Sequence, residues 1–109
     1  MDRKFREERC KWATERVNNI LGGDSYRFEY NEKEWRFEFW EDRATITQMI
    51  FPLTLGNTPL PDITDWEIRH AVNFVRRLRR EEAQKRFLQQ KEYEKWEKNH
   101  SKQSKISVN

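Results

Sequence analysis

Tyr26-Arg27-Phe28-Glu29-Tyr30 is followed, after Asn31-Glu32-Lys33-Glu34, by Trp35-Arg36-Phe37-Glu38-Phe39. Aromatic and charged residues alternate in both stretches, and a period of two puts the rings on one face of a pleated strand and the charges on the other. The residues between them are polar, so the pair reads as a β-hairpin with Asn31 to Glu34 as its loop. In that register Tyr30 faces Trp35, Phe28 faces Phe37 and Tyr26 faces Phe39. Glu29 then meets Arg36 and Arg27 meets Glu38, opposite charges across the strands. A slip by one residue would turn the aromatic face to water.

Toward the N-terminus, Cys10, Ala13, Val17, Ile20 and Leu21 recur at helical spacing among Lys4, Glu7, Glu8, Lys11 and Glu15, which predicts an amphipathic helix from Asp2 to Leu21. Gly22-Gly23 should end it, because glycine accepts the left-handed conformation that closes a helix. Beyond the hairpin, Asp42-Arg43 offers a turn, and Ala44 to Phe51 reads as a third strand with Ile46 and Ile50 on the aromatic face, interrupted by Gln48. Pro52, Gly56, Pro59 and Pro61 mark a loop over 52–63, read as a crossover to the far end of the sheet and long enough to raise the question of a role.

Thr64-Asp65-Trp66-Glu67 spells a capping box with Ile63 as its hydrophobic staple. Ile68, Ala71, Val72, Val75 and Leu78 continue as an apolar stripe, which fails at Glu82, Lys85 and Gln89 and returns weakly with Tyr93 and Trp96. Neither glycine nor proline interrupts the pattern before Lys98, so a helix of about 35 residues is expected. Its first half belongs to the core and its second half projects into solvent or onto a partner. Residues 99–109 are polar and read as a disordered tail. The expected fold is a single small α+β domain over residues 1–98, in the order α-β-β-β-α.

Composition agrees with one modest core. Of 109 residues, 35% are hydrophobic and 38% charged, a balance that would suggest disorder without five Trp, three Tyr and seven Phe to bury. The single Cys10 excludes an internal disulfide and fits a reducing compartment. No stretch is apolar enough to span a bilayer, and the charged start, Met-Asp-Arg-Lys-Phe-Arg, does not read as a signal peptide. A cytoplasmic protein without membrane contact is the expectation.

Few residues invite chemistry. His70 and His100 stand outside any metal or triad spacing, and His70 falls on the exposed side of its helix. Cys10 lies on the apolar face of the first helix, where it reads as a small hydrophobe. Gly22-Gly23 follows a helix and precedes a strand, whereas phosphate loops open a helix. The sequence therefore points away from enzyme activity and calls for no cofactor or metal.

Charge is uneven. Residues 1–63 carry ten Lys and Arg against twelve Asp and Glu, and residues 64–109 carry twelve against seven. Arg69, Arg76, Arg77, Arg79 and Arg80 occur without an intervening acid, and at about 100° per residue Arg69, Asn73, Arg76, Arg77 and Arg80 share one arc of the helix. Guanidinium forks suit phosphate and carboxylate, so this ridge is a candidate binding surface, with a solvated face as the plain alternative. Phe87 and Leu88 fall off the apolar stripe amid Gln, Lys and Arg; either the helix bends and returns them to the core, or they are candidate partner-facing anchors. Trp40 and Trp66 are weaker candidates of the same kind.

An α-β-β-β-α order with a basic second helix resembles the topology of double-stranded-RNA-binding domains. The resemblance stops there: Thr64-Asp65-Trp66-Glu67 stands where those domains present a lysine cluster, and Asn31 to Glu34 lacks their Gly-Pro-x-His loop. Fold order alone implies no function. The favoured expectation is a protein-interaction module, a small regulator or inhibitor that binds a partner protein through the long helix, with homo-oligomerisation through that helix also open. A phage or mobile-element product that blocks a host protein fits this character, although no motif carries it. The alternative is a nucleic-acid-binding module that contacts phosphates through the arginine ridge; a net charge of +3 is mild for that role.

Overall fold

The computed structural model describes residues 2–108, with side chains described as far as residue 97. Helix α1 (Arg3–Leu21) leads into strands β1 (Tyr26–Asn31), β2 (Arg36–Asp42) and β3 (Thr47–Pro52), then a short ribbon of β4 (Thr54–Leu55) and β5 (Thr58–Pro59), and finally helix α2 (Asp65–Val108). The three longer strands form an antiparallel sheet in the order β1-β2-β3, which is the expected α+β architecture. The chain divides within α2 into two compact units, Met1–Phe74 and Val75–Asn109. α2 runs on to Val108 instead of ending near Lys98, 44 residues instead of about 35, so the backbone of the segment expected as a polar tail over 99–109 is helical as far as Val108; its side chains lie outside the described residues.

Asp2 caps α1, its carboxylate accepting from the Lys4 amide at 2.8 Å. At the other end Gly22, at φ +83°, turns its N–H back to the Asn18 carbonyl at 2.7 Å. Ala13 and Val17 are buried, whereas Ile20, expected on the same face, is 45% exposed. Polar residues of α1 dock it on the sheet. The Phe28 amide donates to Thr14 Oγ1 at 2.8 Å, and the Asn18 amide group both donates to the Tyr26 carbonyl at 2.7 Å and accepts from the Tyr26 N–H at 3.1 Å. Thr14 and Asn18 stand one helical turn apart, so they meet alternate residues of β1 and satisfy the outer backbone of that edge strand.

The hairpin forms, but two residues out of the expected register. Tyr30 pairs with Phe37, Phe28 with Phe39 and Tyr26 with Glu41. The cause is the turn: Asn31 stays in the strand opposite Arg36, while its Oδ1 accepts from the amides of Lys33 at 3.0 Å and Glu34 at 3.1 Å. The loop is thereby displaced to Glu32 through Trp35, with Trp35 at φ +55° and 69% exposed. A shift of two preserves the aromatic face, because side chains alternate with the same period. It abolishes the expected cross-strand charge pairs, since Glu29 now faces Glu38 and Arg27 faces Trp40. Arg27 instead pairs with Glu29 along its own strand and, diagonally across the hairpin, with Asp42 at 2.5 Å, and Arg36 pairs with Glu38 along β2.

The third strand is also corrected. The turn lies at Arg43 to Ile46, closed by the Arg43 N–H on the Ile46 carbonyl at 2.8 Å, so Ile46 is 57% exposed rather than part of the face. A bulge sets Met49 opposite Trp40 and Phe51 opposite Phe39, leaving Ile50 as the extra residue. Phe51 replaces Ile46 and Ile50 in the aromatic cluster, 5.3 Å from Phe39 and 5.4 Å from Phe74 of α2.

The segment expected as a plain crossover supplies core. Leu53 and Ile63 are buried, and the Leu53 amide donates to the Phe37 carbonyl. Glu67 reaches back to the Thr64 amide at 2.8 Å, as the capping box requires. Arg9 binds the Asp62 carboxylate at 2.8 Å and the Ile63 carbonyl, and Arg16 pairs with Asp65 at 3.2 Å, so α1 also fastens the start of α2. Ile68, Ala71 and Val72 are buried there, and Val75 is buried in the second unit.

Candidate functional site

The first unit holds a cleft of about 630 Å³ between the N-terminal half of α1 and the polar face of the sheet. Arg3, Arg6, Glu7 and Cys10 line one side, and Glu29, Asn31, Glu38 and Trp40 the other. Its charges neutralise one another. Arg3 pairs with Glu7 at 3.1 Å and Glu32 at 3.8 Å, and Arg6 lies 4.3 Å over the Tyr30 ring. Glu38, only 2% exposed, accepts from Arg36 at 2.9 Å, the Trp40 indole at 3.1 Å and Asn31 at 3.2 Å. Trp40 is thus engaged on its N–H and covered by Arg27 at 5.0 Å, which removes it from the partner-facing candidates. Burial lowers the Arg27 pKa, but hydrogen bonds to Asp42 and Glu29 outweigh it and hold the guanidinium above its ordinary value.

Cys10 lines this cleft without being poised to react. Burial pushes its thiol from 9.0 up to about 11, and the carboxylates of Glu29 and Glu7 add to the shift. The thiolate that a nucleophile needs is therefore scarce at neutral pH. A thiol whose folded pKa exceeds its unfolded one contributes stability that is intact below pH 9 and is lost as the pH rises toward 11. Denaturant titrations across that interval should show a decline that Cys10→Ala reduces; an unchanged slope would place the thiol in contact with solvent.

The chain matches no protein-family model, no curated protein and no solved structure. Among the described residues, no group of three or more His, Cys, Asp or Glu side chains is placed to hold a metal, and no helix is long and apolar enough to cross a membrane. His70 is exposed as expected, stacked on Trp66 at 5.3 Å and edge-on to Phe51 at 5.2 Å.

The sequence-derived candidates fall on both units. Arg69 and Asn73 are exposed on the first; Arg76, Arg77, Arg80, Phe87 and Leu88 are exposed on the second. Within the second unit, Arg76 and Arg80 stand one turn apart with Arg77 beside them. Phe87 carries the Lys91 ammonium 4.8 Å from its ring centre, and Leu88 borders a shallow depression with Lys91, Glu92 and Lys95. Consecutive residues diverge by about 100°, so Phe87 and Leu88 address two faces of α2 rather than one. Tyr93 and Trp96, read from the sequence as a weak return of the core stripe, are exposed by 61% and 55% and stack at 6.1 Å. Two large aromatics three residues apart in a charged segment were the available signal for a surface feature.

Proposed function

We propose that this chain is a non-enzymatic interaction module, a small regulator or inhibitor in a reducing cytoplasmic setting, that holds a partner protein along α2. The observation that supports this is the exposure of every side chain from Arg79 to Glu97, with Phe87 58%, Leu88 60%, Tyr93 61% and Trp96 55% exposed. A helix so charged gains little from holding large apolar groups in water, and apolar anchors ringed by charge are how a helix seats in a partner's groove. Replacing Phe87 and Leu88 together with Ser should change stability by no more than about 0.5 kcal/mol, as for other surface substitutions. It should also abolish capture of the partner from the native host, in a pull-down that survives nuclease digestion. Full capture by this variant would overturn the reading.

A second reading rests on Arg76 and Arg80, exposed one turn apart within a run that contains no acid until Glu81. Such a ridge suits phosphates. With three or four phosphates neutralised, the slope of log K against log salt for duplex binding should be about −3 to −4. Arg76→Glu with Arg80→Glu should abolish that binding and leave the fold intact. Absence of micromolar binding at low salt, to duplex and single-stranded DNA and RNA alike, would remove this reading.

A further inference from the structure

The two edges of the sheet are treated oppositely. At β1, Thr14 and Asn18 of α1 occupy the outer backbone groups of Tyr26 and Phe28. At β3, no strand among the described residues pairs with the outer side, and Thr47, Gln48 and Met49 are exposed. Proteins ordinarily blunt an open edge with charged side chains, above all lysine. In a chain of which 38% is charged, no charged residue occurs between Arg43 and Asp62. The exposed apolar surface includes Met49 within the strand, 39% exposed, and continues before it with Ile46, 57% exposed. Trp66, 66% exposed, joins it through His70, which lies edge-on to Phe51.

We infer that β3 is a homodimer interface, pairing antiparallel with β3 of a second copy about a two-fold axis and joining two three-stranded sheets into one. The second copy fits this edge for three reasons. Its β3 is uncharged too, so the two strands meet without unpaired charge, whereas β1 or β2 would bring Arg27, Glu29 or Arg36 to the contact. It is already extended, so pairing costs no ordering of a flexible segment. And a two-fold pairing consumes both open edges at once, leaving none to propagate into a fibre. A strand alone buries less than the roughly 1,200 Å² of a stable interface, and Ile46 and Trp66, outside the strand, extend the contact.

Sedimentation velocity over a micromolar-to-millimolar range tests this. A monomer–dimer equilibrium nearly independent of salt is expected, because the edge carries no charge. Met49→Lys should weaken it by at least about tenfold while leaving the circular dichroism spectrum unchanged. Hydrogen exchange on the unaltered protein gives a second measurement: amides of β3 should gain protection as concentration rises, and those of β1 should not. Phe87→Ser with Leu88→Ser should leave the dimer intact. A monomer at every concentration would overturn the proposal, as would a dimer lost with the α2 variant and kept with Met49→Lys.

Discussion

Phe39→Ala is expected to destabilise the protein by about 3–5 kcal/mol, the range for an aromatic side chain removed from a packed core. Phe39 is completely buried, with ring centroids of Phe28 at 4.9 Å, Phe51 at 5.3 Å and Tyr26 at 5.7 Å around it. The register places it there. With Phe28 opposite and Phe51 brought alongside by the bulge, it touches a ring from each neighbouring strand, and truncation leaves a void that three aromatic rings cannot close together. A domain of this size has a total stability of about 5–15 kcal/mol, so the variant should unfold at a far lower urea concentration. Phe37→Ala should follow closely, since Phe37 is 1% exposed and meets Tyr30 edge-on at 5.0 Å. A loss below about 1 kcal/mol at Phe39 would mean that the aromatic face is not the core.

Arg36→Met should be the next most damaging change, because it strands the Glu38 carboxylate. That side chain is 3% exposed and Arg36 is its charged partner, while Asn31 and Trp40 supply neutral hydrogen bonds. Removing one member of a buried pair leaves an uncompensated charge; with the guanidinium itself one-quarter exposed, a cost of about 2–4 kcal/mol is expected. Glu38→Gln in the same background removes the charge but not the shape, so the double variant should recover part of the loss. A thermodynamic cycle over the two positions reads the coupling directly. Equal stabilities of the single and double variants would show that the charge on Glu38 is not what Arg36 balances.

The candidate site was legible in part. Phe87 and Leu88 stood out as apolar residues off the stripe and are exposed, and the arginines of α2 face solvent as the helical wheel implied. Tyr93 and Trp96 were read only as a weak return of the apolar stripe in the half of the helix expected to project, because periodicity assigns a face, not what that face meets. The uncovered edge of β3 left no trace in the hairpin pattern, since whether an edge is sealed depends on where another element docks.

Local pattern determined which segments became helix and strand: alternation fixes the faces of β1 and β2, the Gly22 stop closes α1, and the Glu67 carboxylate opens α2. Those choices involve residues a few positions apart, so short-range sterics and hydrogen bonding suffice. Tertiary structure decided the rest. The hairpin register followed from Asn31 bonding two turn amides and from Phe51 entering between Phe39 and Phe74, and Thr14 and Asn18 of α1 chose which sheet edge to close. A shift of two residues leaves every side chain on its own face, so the alternating pattern is blind to it. What separates one register from the other is the pair of turn bonds to Asn31 together with the fit of rings and backbone groups from distant parts of the chain.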